Sequence, residues 1–288
     1  MNAIETEKLT KTYGSSRGIT ELKLTVSSGD FFGFIGPNGA GKSTTIRTML
    51  GLISPTSGSA KVLGLDIVSQ KNEILSRVGY LPSEINFTSG MKVSDVIKYS
   101  ANLRHKNCKD ISDVLCERLG IDTGKKVDDL SLGNRKKVGI VCAVQHEPEL
   151  LILDEPTSGL DPLMQREFFD ILTEQNKNGS TIFFSSHILS EVQNHCRSAA
   201  FIRDGRIIVS DKVEKLEETG AKKVTISGDF DANGLSGIND LKTENDVTSF
   251  LYKGDVRLLL KKLAESNLSN VNITEPSLEE IFMNYYEG

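Results

Sequence analysis

The chain has 288 residues, 38% of them hydrophobic and 25% charged, with a formal net charge of −5; it is long enough for one large core or two modest ones, and the acidic balance does not favour a nucleic-acid partner, which more often brings a basic excess. No apolar run approaches the ~18 residues needed to cross a bilayer, and Met1 to Lys8 lacks the basic-then-apolar form of a signal peptide. Cys108, Cys116, Cys142 and Cys196 form no C-x-x-C pair, so the expectation is a cytosolic protein with reduced thiols that meets a membrane only through a partner.

Residues 2–35 begin with short alternating runs, Ile4 to Leu9 and Leu22 to Val26, separated by the turn-rich Tyr13 to Gly18. They predict antiparallel β-structure. Tyr13 stands just after a strand, where its ring could stack on a flat base; an ordinary turn or core tyrosine is the other reading. Phe31 to Ile35 reads as a buried strand. It feeds Gly36-Pro37-Asn38-Gly39-Ala40-Gly41-Lys42-Ser43-Thr44, which fits the phosphate-binding P-loop at every fixed position. Its glycines let the backbone turn tightly and aim N–H groups at an anion, and the helix that follows adds its positive end. Lys42 is the candidate for the β- and γ-phosphates and Ser43 for Mg²⁺.

Ser54 to Ser59 stops that helix, and Ala60 to Asp66 predicts one short strand. A brief helix near Gln70 to Ser76 leads to a strand, Val78 to Leu81, ended by Pro82. From Val93 to Leu119 apolar residues recur at helical steps: Val93, Val96, Ile97, then Ile111, Val114, Leu115 and Leu119. These stripes read as core or as a partner-binding groove. Leu130-Ser131-Leu132-Gly133-Asn134 is a Ser/Gly turn opening a helix, either a second anion-binding end or a plain serine cap.

Leu150 to Leu153 is an apolar run followed by Asp154 and Glu155, the form of a buried parallel strand with carboxylates at its C-terminal end, where open α/β sheets bind ligands. Asp154 is the candidate for holding Mg²⁺ through its water shell, and Glu155 for orienting or deprotonating the attacking water. Asp161-Pro162 opens a helix carrying Leu163, Phe168, Phe169, Ile171 and Leu172. Thr181 to Ser186 is another apolar strand, ending in His187, placed to donate to a γ-phosphate. Beyond residue 212, Lys222 to Ile226 and Val271 to Ile273 predict strands, Gly228 to Asp246 is turn-like, and Ser277-Leu278-Glu279-Glu280 has the form of a capping box for a final helix carrying Ile281, Phe282 and Tyr285.

The order P-loop, Ser/Gly turn, apolar-Asp-Glu, Ser158-Gly159-Leu160-Asp161 and strand-end His187 resembles the ATPase subunits of ATP-binding-cassette (ABC) transporters over residues 1 to about 212. Within them it resembles the single-cassette subunits of bacterial exporters such as those for bacitracin or anthracycline resistance. The resemblance implies an α/β P-loop NTPase fold with a mostly parallel sheet, an N-terminal antiparallel β-subdomain, a helical subdomain near 84–145 and a small α+β appendage at 213–288. It implies ATP and Mg²⁺ as ligands, with Gly36, Pro37, Asn38, Gly39, Ala40, Gly41, Lys42, Ser43 and Thr44 around the phosphates, and Tyr13 on adenine. It implies a second ATPase subunit bound head to tail, whose Ser131 and Gly133 cap the nucleotide, with Asp161 contacting across the dimer, His187 sensing the γ-phosphate, and a membrane permease docked on residues 84–120. Catalysis falls to Glu155, His187 and Lys42, and the metal to Ser43 and Asp154. Two departures stand out: Leu132 and Asn134 replace the family's Gly and Gln in the signature, and Ser83 replaces its Gln, with Glu84 or a water as substitute. A soluble ABC ATPase of DNA repair or translation and a nucleotide-binding module without turnover are the alternatives.

Overall fold

The computed structural model describes residues 1–14, 16–217 and 221–276. The chain divides into two compact units, Met1–Asp211 and Lys212–Gly288.

The first unit opens with a long hairpin, β1 (Asn2–Tyr13) and β2 (Ser16–Ser27), in which Ile4, Leu9, Leu22, Leu24 and Val26 are buried. Then come β3 (Phe31–Ile35), α1 (Lys42–Met49), β4 (Ser57–Val62) and β5 (Leu65–Asp66). The single strand expected over Ala60 to Asp66 is two, because Leu63 and Gly64 both take positive φ (52° and 79°) and pair Val62 with Leu65 across a tight turn. α2 (Lys71–Arg77) and β6 (Val78–Leu81) follow. The helical pattern from Val93 to Leu119 is split into α3 (Val93–Asn102) and α4 (Lys109–Arg118). Val93, Val96, Ile97, Leu115 and Leu119 are core residues, whereas Val114 is exposed.

α5 (Leu132–Val144), β7 (Leu150–Asp154), α6 (Pro162–Lys177), β8 (Thr181–Ser186), α7 (Leu189–His195), β9 (Ser198–Arg203) and β10 (Arg206–Lys212) complete this part. The expected helix after Asp161-Pro162 buries Phe168, Phe169, Ile171 and Leu172, but Leu163 points to solvent.

Six strands form the central sheet in the order β10-β9-β3-β8-β7-β6, with β9, β3, β8, β7 and β6 paired in parallel. The antiparallel sheet is β2-β1-β4-β5. One core lies between them, where Ile4, Leu22 and Val62 meet Phe32, Phe34, Ile152 and Phe183, with Ile46, Met49 and Leu50 of α1 in the same cluster. On the other face Phe169 of α6 meets Phe184 of β8 edge-on at 5.7 Å.

α5 lies against β6 without room for a side chain: a Cβ on Gly79 would come within 2.1 Å of the Ala143 carbonyl oxygen. Because backbone cannot yield as a flexible side-chain end can, Gly79→Ala is expected to destabilise the protein by about 2–3 kcal/mol. Equilibrium urea unfolding checks this, and an unchanged midpoint would contradict so close an approach.

The second unit holds α8 (Val213–Glu217), β11 (Lys222–Asp229), β12 (Ile238–Glu244), β13 (Val247–Tyr252), α9 (Val256–Ala264) and β14 (Asn267–Thr274). Its antiparallel sheet runs β12-β13-β11-β14. Val224, Ile226, Phe250, Tyr252, Leu259 and Leu263 make a separate core. The stretch Gly228 to Asp246, expected to be turn, contains β12. That strand sits at an edge, is polar nearly throughout, and joins β13 through Asn245 and Asp246, both at positive φ. The capping box at Ser277 and the final helix lie outside the described residues.

Candidate active site

The site lies beyond the C-terminal ends of β3, β7 and β8, which are adjacent and parallel. Parallel strands end their carbonyl-to-side-chain run at one edge, so whatever follows each strand faces one crevice. After β3 comes the glycine-rich loop. Gly39 and Gly41 have φ of 80° and 108°, a region that a side chain disfavours. Gly41 is the residue before α1, so the first N–H groups of the helix open into the loop without intrahelical partners. The β1–β2 hairpin flanks it: Ile19 Cγ2 and the Gly18 carbonyl lie 3.0 and 3.2 Å from where a Cβ of Gly41 would stand. On another side the Gly205 N–H donates to the Ala40 carbonyl at 2.9 Å.

Lys42 opens α1 and is 6% exposed. Its Nζ donates to the carbonyls of Gly36 (2.6 Å) and Pro37 (3.2 Å), curling the ammonium into the loop. Nζ also lies 3.0 Å from Glu155 Oε1. This contact is an ion pair by distance, and Glu155 Oε1 is buried without a hydrogen bond. Glu155 Oε2 meets His187 Nδ1 at 2.6 Å. One carboxylate therefore links the P-loop lysine to the histidine after β8.

Asp154, the last residue of β7, is fully buried. Ser185, its register partner on β8, donates from Oγ to Asp154 Oδ1 at 2.8 Å and also accepts the Glu155 N–H at 3.1 Å. Asp154 Oδ2 is buried with no partner. A buried carboxylate oxygen left uncompensated is costly, and it would fit the water shell of a divalent cation. Among the described residues no cluster of three or more His, Cys, Asp or Glu is placed to hold a metal ion. Ser43 follows Lys42 in the first turn of α1 and is half-buried.

Behind His187, Ser186 Oγ donates to Glu191 Oε2 at 2.7 Å. Burial pushes the Glu191 carboxyl up, against the pull of its Ser186 and Thr157 hydrogen bonds. Burial and Asp154 likewise push the Tyr80 phenol up. Ser185, Glu191 and Tyr80 belong to no motif that the sequence displays. The strand-end Ser185-Ser186 beside a strand ending in Asp154 was the available signal for the serines.

The remaining candidates stand apart from this cluster. Tyr13 ends β1 with its ring exposed and Lys11 Nζ 5.3 Å from the ring centre. Ser131 caps α5, its Oγ accepting the Asn134 N–H at 3.3 Å. Gly133 abuts the loop after β7, a Cβ there falling 2.8 Å from the Gly159 carbonyl. Asp161 caps α6, accepting from the Leu163 and Met164 N–H groups at 3.1 Å each. Leu132 and Leu163, on these two helix starts, are 66% and 76% exposed.

A family model described as ABC transporter matches residues 19–158. The bacitracin transport ATP-binding protein BcrA of Bacillus licheniformis is 35% identical over 99% of this chain and 97% of its own length. The chain belongs to the ABC transporter ATP-binding proteins. The linearmycin resistance ATP-binding protein LnrL of Bacillus subtilis is 29% identical to this ABC protein, covering 98% of the chain and 97% of LnrL. Among solved structures, an ATP-binding subunit of an ABC transporter matches with a TM-score of 0.71 at 26% identity, over 75% of this chain and 92% of that one. The dimeric cassette MJ0796, at 19% identity and a TM-score of 0.67, covers 73% of this chain and 98% of its own, and shares the fold. The P-loop NTPase architecture and ATPase class inferred for this ABC subunit thus agree with its relatives.

Proposed function

We propose that this ABC subunit binds ATP with Mg²⁺ in the crevice above β3, β7 and β8, hydrolyses it in a head-to-tail pair of cassettes, and thereby drives an export permease. The observation that carries the reading is the convergence of Lys42, Asp154, Glu155 and His187 on one crevice.

The loop from Gly36 to Thr44 offers its N–H groups and helix start to the triphosphate. Lys42, already inside the loop, swings from the Gly36 and Pro37 carbonyls to the β- and γ-phosphates. Ser43 directly and Asp154 through water would hold Mg²⁺, which would supply charge neutralisation for the triphosphate. Ser185 fixes Asp154 through Oδ1 and leaves Oδ2 for that purpose. Glu155 orients the attacking water and accepts its proton. His187, on the opposite carboxylate oxygen, holds Glu155 in place and serves as the γ-phosphate sensor. Tyr13 supplies an exposed ring for adenine.

Ser131, Gly133 and Asp161 serve the other cassette's nucleotide. Leu132 and Leu163 support this: large apolar side chains exposed at two neighbouring helix starts suit burial against a second protein surface. A Ser131→Arg substitution should leave ATP binding intact, because Ser131 is an exposed cap with a long hydrogen bond. It should lower steady-state hydrolysis at least about tenfold by denying phosphate donors to the partner site. Undiminished turnover in that variant would remove the composite site from the reading.

On the helical part, exposed Tyr99, Leu103 and Val114 on and beside α3 and α4 supply the apolar side chains for a permease contact. Among the described residues no helix is long and apolar enough to cross a membrane, in keeping with a peripheral subunit on the cytoplasmic face. We assign residues 1–212 to the ATPase domain and 213–288 to an accessory domain. Affinity capture from detergent-solubilised native membranes tests the whole: a co-purifying multi-span permease supports it, and recovery of ribosomes or DNA-repair proteins without any membrane protein moves the function to a soluble ABC ATPase.

A further inference from the structure

A second buried lysine stands on α5, which packs on the loops that follow β6 and β7. Lys136, on α5, is 3% exposed. Of its three ammonium donors, one reaches an acceptor among the described residues, the Ser83 carbonyl at 3.1 Å, and no carboxylate there lies within ion-pair distance. Proteins rarely bury a lysine this way, because desolvation of the charge exceeds what one neutral carbonyl returns. Burial lowers the Lys136 ammonium, and Asp154 and Glu155, beyond ion-pair distance, draw it up.

The topology explains the juxtaposition. Leu81 on β6 pairs with Leu153 on β7, so the loop holding Ser83 and the turn holding Asp154 and Glu155 leave the sheet side by side. α5 lies across both. A Cβ on Gly139 would sit 2.4 Å from Ile85 Cδ1 and 2.9 Å from Leu81 Cδ1, and one on Gly133 would sit 2.8 Å from the Gly159 carbonyl. Gly133, Lys136 and Gly139 are spaced i, i+3, i+6 and share one helix face. The glycines bring the backbone close, and the lysine between them places its charge where the two loops meet.

We propose that Lys136 is a positioning residue of the ATPase site, its buried charge holding the Asp154–Glu155 carboxylates and the Ser83 loop in working order. The inference rests on the ATPase reading given above. In the structure Glu155 faces Lys42 at 3.0 Å, and Lys136 acts on the same carboxylate as a second, more distant positive charge. Lys42 must leave Glu155 to meet a triphosphate, which brings further negative charge to the crevice. Lys136 is anchored in α5 and cannot leave. It is then the fixed cation that offsets repulsion between the acids and the phosphates, and it links the signature helix to the acids of its own chain.

The test uses the full chain with Lys136→Met, which keeps the volume, and Lys136→Gln, which loses the charge but can still donate to Ser83. Both are expected to lower kcat about tenfold or more, with KM for ATP within about twofold. Since a positive charge near Asp154 is gone, the Mg²⁺ concentration that half-promotes binding of a fluorescent ADP should fall about threefold or more. The nucleotide-free variants should be less stable than wild type, because removing one side of a buried charge cluster leaves Asp154 and Glu155 less compensated. A kcat within twofold of wild type in both variants overturns the proposal, as does a Lys136→Gln protein that behaves as wild type, which would leave only the hydrogen bond. Should wild type itself fail to hydrolyse ATP, the ATPase reading falls, and the Mg²⁺ dependence of ADP binding still decides on Lys136: a shift supports it and no shift overturns it.

Discussion

Replacing Glu155 by glutamine is expected to slow ATP hydrolysis about a hundred-fold or more while leaving ATP binding nearly unchanged. The carboxylate is held from every side. Its backbone takes φ 49°, a left-handed conformation that costs about 1 kcal/mol or more outside glycine. Ser185 supports that turn by accepting the Glu155 N–H at its carbonyl (3.2 Å) and its hydroxyl (3.1 Å). Oε2 is fixed on His187 and Oε1 faces Lys42. Glutamine has the same shape and can occupy the same space, so what disappears is the charge and the capacity to take a proton. Phosphate release in a single turnover, set beside equilibrium binding of a fluorescent ATP analogue, separates chemistry from affinity. Hydrolysis within about threefold of wild type would deny Glu155 the role of general base. Absence of hydrolysis in the wild type would favour a binding module.

The parts of the site visible in sequence are those whose geometry is local. The P-loop is such a case, because Gly39 and Gly41 adopt positive φ within a few residues of the lysine they serve. So is the acid pair, since an apolar run such as Leu150 to Leu153 followed at once by two carboxylates marks the C-terminal end of a buried parallel strand. Ser185 belongs to the other kind. Its link to Asp154 exists only through the parallel register of β7 on β8, which joins residues 31 positions apart. Lys136 was hidden by its neighbours, for Arg135-Lys136-Lys137 reads as a solvated basic run until the close approach of Gly133 and Gly139 shows which face α5 buries. In the fold, β12 lacks apolar alternation because an exposed edge strand has no face to bury. α9 was obscured by Leu258-Leu259-Leu260, of which only Leu259 enters the core while Leu258 and Leu260 are exposed.

Lys42→Met should abolish turnover for a different reason and leave a distinct trace in the nucleotide-free protein. Toward ATP it removes the cation that stabilises charge on the transferring phosphate, a loss of about a thousand-fold in rate, with weaker nucleotide binding as well. Toward the folded state it removes the partner of Glu155 Oε1, an oxygen that is already buried and has no hydrogen bond of its own. Breaking such a pair from one side strands a charge, so the single variant is expected to lose about 3 kcal/mol of stability. Adding Glu155→Gln then neutralises the stranded carboxylate. The double variant should recover about 1–2 kcal/mol relative to Lys42→Met, although each single change removes a native contact. Urea unfolding of the four proteins in the cycle measures the coupling directly. If the two substitutions simply add, Glu155 does not depend on Lys42 in the free protein, and its arrangement owes more to His187 and Ser185 than to the P-loop lysine.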